Sequence, residues 1–137
     1  PLLVLGDYAS VFKDNTTNAF STIPGAAGIA AFGWADYNKD GHQDLVASGK
    51  SGSTCYFTLQ KNNGTVMTDV AAAAGLDATV AATTVLWADY NQDGWMDLLV
   101  YGSTCAPVLS VKLYKNNQGA FVNAPLPTLP AGVDGGT

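Results

Sequence analysis

The chain has 137 residues with 47% apolar content, which is enough for one domain with a modest core and too apolar for a disordered segment. Its net charge of −5 comes from eleven acids, all Asp, and six bases, all Lys; with no Arg, no basic patch and an acidic balance, recognition of nucleic acid phosphate is excluded. No run is apolar enough to span a membrane, since the Ala-rich stretch Val70 to Ala88 is broken by Gly75 and Asp77, and the abundance of Gly, Asn, Asp, Thr and Val predicts strands and turns rather than helices.

Residues 1–23 begin with Pro1-Leu2-Leu3-Val4-Leu5-Gly6, an apolar run that returns as Asp44-Leu45-Val46-Ala47-Ser48-Gly49 and as Asp97-Leu98-Leu99-Val100-Tyr101-Gly102. Val11-Phe12-Lys13-Asp14-Asn15 follows, and returns as Leu59-Gln60-Lys61-Asn62-Asn63 and Leu113-Tyr114-Lys115-Asn116-Asn117. Each copy precedes a short Phe- or Val-bearing run, the pattern of a strand, an Asn/Gly turn and a second strand. Residues 1–23 are therefore expected to supply the second to fourth strands of a four-stranded unit.

The next unit, residues 24–79, is complete. An inner apolar strand over Ile29 to Trp34 leads into Asp36-Tyr37-Asn38-Lys39-Asp40-Gly41-His42-Gln43-Asp44, and a second apolar strand over Leu45 to Ser48 leaves it. Apolar runs without alternation predict burial on both faces. A third strand alternates Phe57 and Leu59 with Thr58 and Gln60, which predicts one exposed face; a brief fourth strand covers Val66 to Asp69. Thr68 to Gly75 then has a capping residue, an Ala run and a terminating Gly, so a single helical turn is expected there.

Residues 80–123 repeat the plan. Ala82 to Trp87 forms the inner strand, Leu98 to Tyr101 the second, Val111 and Leu113 alternate with Lys112 and Tyr114 in the third, and Phe121 to Asn123 makes the fourth. Ile23 to Gly28 and the tail 124–137 contain Pro and Gly and read as connections. The loop also returns, as Asp89-Tyr90-Asn91-Gln92-Asp93-Gly94-Trp95-Met96-Asp97, 53 residues after its first copy.

These loops carry the chemistry. Oxygen-bearing side chains stand at positions 1, 3, 5 and 9 with Gly at 6, the arrangement that wraps a hard cation such as Ca²⁺. The expected ligands are Asp36, Asn38, Asp40, the backbone carbonyl of His42 and Asp44 at one site, and Asp89, Asn91, Asp93, the carbonyl of Trp95 and Asp97 at the other. Three carboxylates in a tight turn repel one another without a cation. Position 12 is Ala47 or Val100 rather than a bidentate Glu, so neither loop is an EF-hand. Six of the eleven Asp lie in the loops, so two bound Ca²⁺ would bring the net charge from −5 to −1 and the metal's role is expected to be structural. The bland alternative is a simple Asp-Gly hairpin turn.

Other candidates are weaker. Trp34 and Trp87 precede the loops at equivalent places and read as inner-strand packing. Trp95 replaces His42 at position 7, where its side chain is read either as a stacking or contact residue for a sugar or protein ligand or as partly buried against a neighbouring loop. His42, the only His, is expected to be solvated, and no Ser or Cys has an evident His-and-Asp partnership, so no catalytic residues and no enzymatic activity are expected. Cys55 and Cys105 each close a Gly-Ser-Thr-Cys tetrapeptide; equivalent places in neighbouring repeats leave both a bridge and two free thiols open. Asn15-Thr16-Thr17 and Asn63-Gly64-Thr65 fit the glycosylation acceptor pattern.

A period of about 50 residues with four strands per unit is that of a β-propeller blade. The fold class read from the sequence is thus all-β, with three quarters of one blade and two complete blades, about 2.75 in all. Closed propellers have roughly four to eight. A mature piece of a longer polypeptide is the favoured expectation, and a ring completed by several copies of the chain is the alternative.

Phe32-Gly33-Trp34-Ala35-Asp36-Tyr37-Asn38-x-Asp40-Gly41-x-x-Asp44-Leu45, closing with Lys61-Asn62-Asn63-Gly64 and Thr68-Asp69-Val70-Ala71-Ala72-Ala73-Ala74-Gly75-Leu76, resembles FG-GAP/VCBS-type repeats, especially those of the ASPIC and cartilage acidic protein group and of integrin α-subunits. The resemblance implies a calcium-binding extracellular propeller module serving as a structural or adhesive scaffold. A propeller lectin holding carbohydrate between blades and a non-catalytic domain of a secreted enzyme are the alternatives. The partners implied are a protein or carbohydrate ligand and further blades, with no nucleic acid and no membrane insertion.

Overall fold

A computed structural model describes residues 3–5, 12–14, 29–77, 79–104 and 109–126 of the chain. They form strands only, in the order β1 (Leu3–Leu5), β2 (Phe12–Asp14), β3 (Ile29–Ala35), β4 (Asp44–Ser51), β5 (Thr54–Asn62), β6 (Met67–Asp69), β7 (Val80–Ala88), β8 (Asp97–Thr104), β9 (Leu109–Asn117) and β10 (Ala120–Ala124). β3-β4-β5-β6 and β7-β8-β9-β10 make two four-stranded antiparallel sheets, each a meander in chain order. These are the two expected blades; they do not close into a ring among the described residues. β1 and β2 pair antiparallel as the partial blade requires, with Leu3 opposite Asp14, a register offset from the one that the repeat alignment gives. The fourth strand expected in residues 1–23 lies outside the described residues.

The blades stack face to face, β7 lying against β3, β4 and β5. The shared core takes Ala31, Val46, Phe57 and Leu59 from the first blade and Ala82, Leu98, Val100, Tyr114 and Phe121 from the second, with Val85 and Trp87 packed on it. Leu45, Ala47 and Met67 form a smaller cluster on the other face of the first blade, with Trp34 and Tyr56 against it. β4 is therefore buried on both faces, as its unbroken apolar run predicts. Both tryptophans also pack as inner-strand residues, one on each face of the first blade. Gly33 lets Trp87 approach: a Cβ there would stand 3.2 Å from Trp87 Cδ1.

The third strand departs from expectation. Thr58 and Gln60 are as buried as Phe57 and Leu59, on the face that carries Leu45, Ala47 and Met67. Their polar groups meet each other, Gln60 Nε2 donating to Thr58 Oγ1, which lowers the cost of burying them. In β9 Val111 is exposed, while Tyr114 is buried toward the first blade.

The connection after β6 is one turn, stopped as the sequence predicts. Asp69 Oδ1 accepts the Ala71 N–H, Ala74 N–H bonds to Val70 O, and the Gly75 and Leu76 N–H groups bond back to Ala72 and Ala71. With Gly75 at φ +91°, this is a Schellman stop. Phe121 N–H donates to Ala74 O at 2.7 Å, so the turn clips the first blade to the outermost strand of the second. Cys55, near the start of β5, is disulfide-bonded, which decides the question that its spacing left open; Cys105, the only other cysteine in the sequence, lies outside the described residues.

Candidate metal centre

Each candidate loop spans the gap between an inner strand and the next: residues 36–43 join β3 to β4, and 89–96 join β7 to β8. The position 6 glycines, Gly41 and Gly94, adopt φ of 88° and 87°, and the position 4 residues Lys39 and Gln92 both adopt 59°. Two left-handed residues within three positions bend the backbone into a tight coil that few non-glycine sequences sustain.

The two coils share one set of hydrogen bonds. In the first, Asp36 accepts the N–H of Asp40 on Oδ1 and that of Gly41 on Oδ2, Asn38 Oδ1 accepts the Asp40 N–H, Asn38 Nδ2 donates to Asp40 Oδ2 and the His42 N–H donates to Asp40 Oδ1. In the second, Asp89, Asn91, Asp93, Gly94 and Trp95 repeat every one of these bonds. Backbone amides thus fix the position 1, 3 and 5 side chains toward the inside of the turn.

Position 9 is different, because it belongs to the exit strand. Asp44 and Asp97 are buried, at 0% and 1% exposure. Asp44 Oδ2 accepts the Tyr37 N–H at 3.2 Å and its Oδ1 the Asn62 N–H at 2.8 Å; Asp97 accepts those of Tyr90 and Asn116 at 3.1 and 2.7 Å. Burial pushes the Asp44 carboxyl up to about 6 against the pull of these two amides, and the charges of Asp40 and Asp36 push the same way. Asp40 is instead held below the ordinary carboxylate range: desolvation opposes the shift, but the His42 N–H and the Asn38 amide outweigh it. A cation among the three would favour the ionised form of all of them.

Asp36, Asp40 and Asp44 bring carboxylate oxygens within 4.8 Å of one another, so they could hold a metal ion. Oxygens bound to one Ca²⁺ at 2.3–2.6 Å stand at most ~5 Å apart, and the spread fits. No other three acidic, His or Cys side chains among the described residues meet that distance, so the second loop, although bonded alike, holds its carboxylates less close together. The oxygen-only donor set is that of a hard cation.

The position 7 side chains point elsewhere. The His42 ring is exposed and lies over the β5–β6 turn, where a Cβ on Gly64 would come within 2.9 Å of His42 Cε1. Trp95 is half-buried, with Lys39 Nζ of the first loop 4.3 Å from its ring centroid. Two asparagines complete the centre that sequence reasoning saw only as hairpin residues, Asn62 and Asn116. Each holds the position 9 Asp through its backbone N–H, and each donates its side-chain amide to the position 8 carbonyl, of Gln43 at 3.1 Å and of Met96 at 2.9 Å. The signal was present in the repeated Lys-Asn-Asn, but only strand pairing brings it to the loop.

The family model of the FG-GAP-like repeat matches residues 36–100, from the first ligand position of the first loop to the middle of β8. This segment is similar to an FG-GAP-like repeat. The match names the repeat in general and no narrower group. Comparison with curated proteins found no match, and comparison with solved structures found none. Among the described residues, no helix is long and apolar enough to cross a membrane.

Proposed function

We propose that this chain is a calcium-stabilised, extracellular β-propeller module that serves as a structural or binding scaffold. The observation that carries the reading is the duplicated loop: two coils 53 residues apart with the same two left-handed residues and the same hydrogen bonds, one of which already gathers three carboxylates. A turn needed only to reverse the chain would not require four oxygen-bearing positions twice. The disulfide at Cys55 supports an oxidising, extracellular setting. No catalytic role is part of the proposal.

Calcium, if bound, would tie the exit of the inner strand to the start of the next. At a free Ca²⁺ concentration ten times Kd, each site would add roughly 1.4 kcal/mol to stability. Asp40→Ala and Asp93→Ala are each expected to lower the melting temperature in calcium and to reduce its calcium dependence. Melting curves that coincide in calcium and in chelator would overturn the reading.

Further blades are the partners best supported. The outer face of β7–β10 exposes Leu86 (54%), Val122 (50%), Tyr101 (43%) and Val111 (41%). In the repeat, Gly33, Ser48 and Phe57 of the first blade stand where Leu86, Tyr101 and Val111 stand here, and they face the second blade. A neighbouring blade, from the same polypeptide or another copy, would cover the same apolar side.

A further inference from the structure

Asn116 is fully buried and lies between the two loops. Its backbone N–H holds Asp97 Oδ1 at 2.7 Å, and its Oδ1 accepts the Gly119 N–H at 2.7 Å. Its side-chain amide donates to Met96 O in its own loop and, at 2.8 Å, to Tyr37 O in the loop of the other blade. Tyr37 is also buried, and its N–H donates to Asp44 Oδ2. A continuous path therefore runs from position 9 of one loop to position 9 of the other: Asp44, the Tyr37 residue, Asn116, Asp97. All four residues are shielded from water, which would otherwise compete for each bond.

Asn62 occupies the same place in the first blade and makes the same three bonds within it, to Asp44, Gln43 and Gly64. Asn116 adds a bond across the blade interface. On the rim, Lys39 of the first loop over the Trp95 ring of the second makes a separate, exposed link.

We propose that Asn116 is a positioning residue that couples the two loops, so that a divalent cation held by one raises the affinity of the other. The proposal rests on the calcium reading above. An ion in the first loop fixes Asp44, which fixes the Tyr37 N–H; its carbonyl, through Asn116, then holds the amide that positions Asp97. The second ion meets a loop whose ordering is already partly complete, and the effect is reciprocal.

The test is calorimetric titration of the whole chain with CaCl₂, compared with Asp93→Ala, Asp40→Ala and Asn116→Ala. Disabling the second loop with Asp93→Ala is expected to weaken calcium binding at the first by fivefold or more, the lower end of ordinary coupling, and Asp40→Ala to weaken the second loop by the same factor. Asn116→Ala is expected to abolish that mutual effect, so that Asp93→Ala placed on top of it no longer changes the first loop's affinity. A merely structural Asn116 would lower the melting temperature in chelator and leave the coupling factor intact, which overturns the proposal. Two ions that bind independently in the unaltered chain also overturn it, while leaving the calcium reading standing. No calcium binding at either loop overturns both. If Asn116→Ala does not fold, the reciprocal effects of Asp93→Ala and Asp40→Ala still decide, because their absence rules out coupling by any route.

Discussion

At the scale of single residues, the ion pair between Lys112 of β9 and Asp77, just after the turn, shows how a local contact reports on pH. The Lys112 ammonium, with help from Thr79, holds the Asp77 carboxyl down to about 2. Its folded pKa lies below the unfolded value near 3.9, so the pair stabilises the fold above about pH 4 and loses that contribution as pH falls through 2. Both side chains are partly exposed, at 25% and 36%, and solvent screening keeps the effect below ~1 kcal/mol. Lys112→Met is expected to lower the urea midpoint at pH 7, and the gap to the unaltered chain is expected to shrink as pH falls through about 2, where Asp77 takes up its proton. Comparing the two chains cancels the titration of the loop carboxylates, which both retain.

At the scale of elements, the junction between the blades depends on small residues that admit a neighbour. Gly75 ends the connecting turn at φ +91°, and a Cβ on it would stand 2.4 Å from Phe121 O, too close for the bond between Phe121 and Ala74 to survive unchanged. Gly75→Ala therefore combines a left-handed residue with a backbone clash, and a loss of roughly 2–4 kcal/mol is expected in chemical denaturation. A loss under about 0.5 kcal/mol would show that the turn can detach from β10 at little cost. Ser48 works at the same junction: its Oγ accepts the Ala82 N–H at 2.7 Å and donates to Tyr56 O. The amide it satisfies lies beside the register shift between Ala82 and Thr84, where regular strand pairing is interrupted.

At the scale of the whole molecule, burial is uneven because each blade is stabilised by its neighbours. Leu59 faces the second blade and is fully buried, whereas Leu86 is more than half exposed on the outer face of that blade. Leu59→Ala is expected to cost about 2–5 kcal/mol, and Leu86→Lys less than ~0.5 kcal/mol, measured by thermal melting of the 137-residue chain. Equal costs would mean that the outer face is already covered by another copy. A Trp placed over that face as Trp87 sits over Gly33 would meet the Leu86 side chain, so a blade docked there must present a smaller residue at that point.

Much of this was legible in the amino-acid order. The repeat of Asp44-Leu45-Val46 as Asp97-Leu98-Leu99 and of Lys61-Asn62-Asn63 as Lys115-Asn116-Asn117 set the blade plan, since alternation, apolar runs and turn residues act over a few positions and survive in one dimension. The four oxygen-bearing positions around Gly41 and Gly94 marked the loops for the same reason. The placing of Lys39 over Trp95 and the bond from Asn116 to Tyr37 were decided only when one blade packed on the next. Those contacts join residues far apart in the chain, and no local pattern records which face of a strand a second sheet will cover.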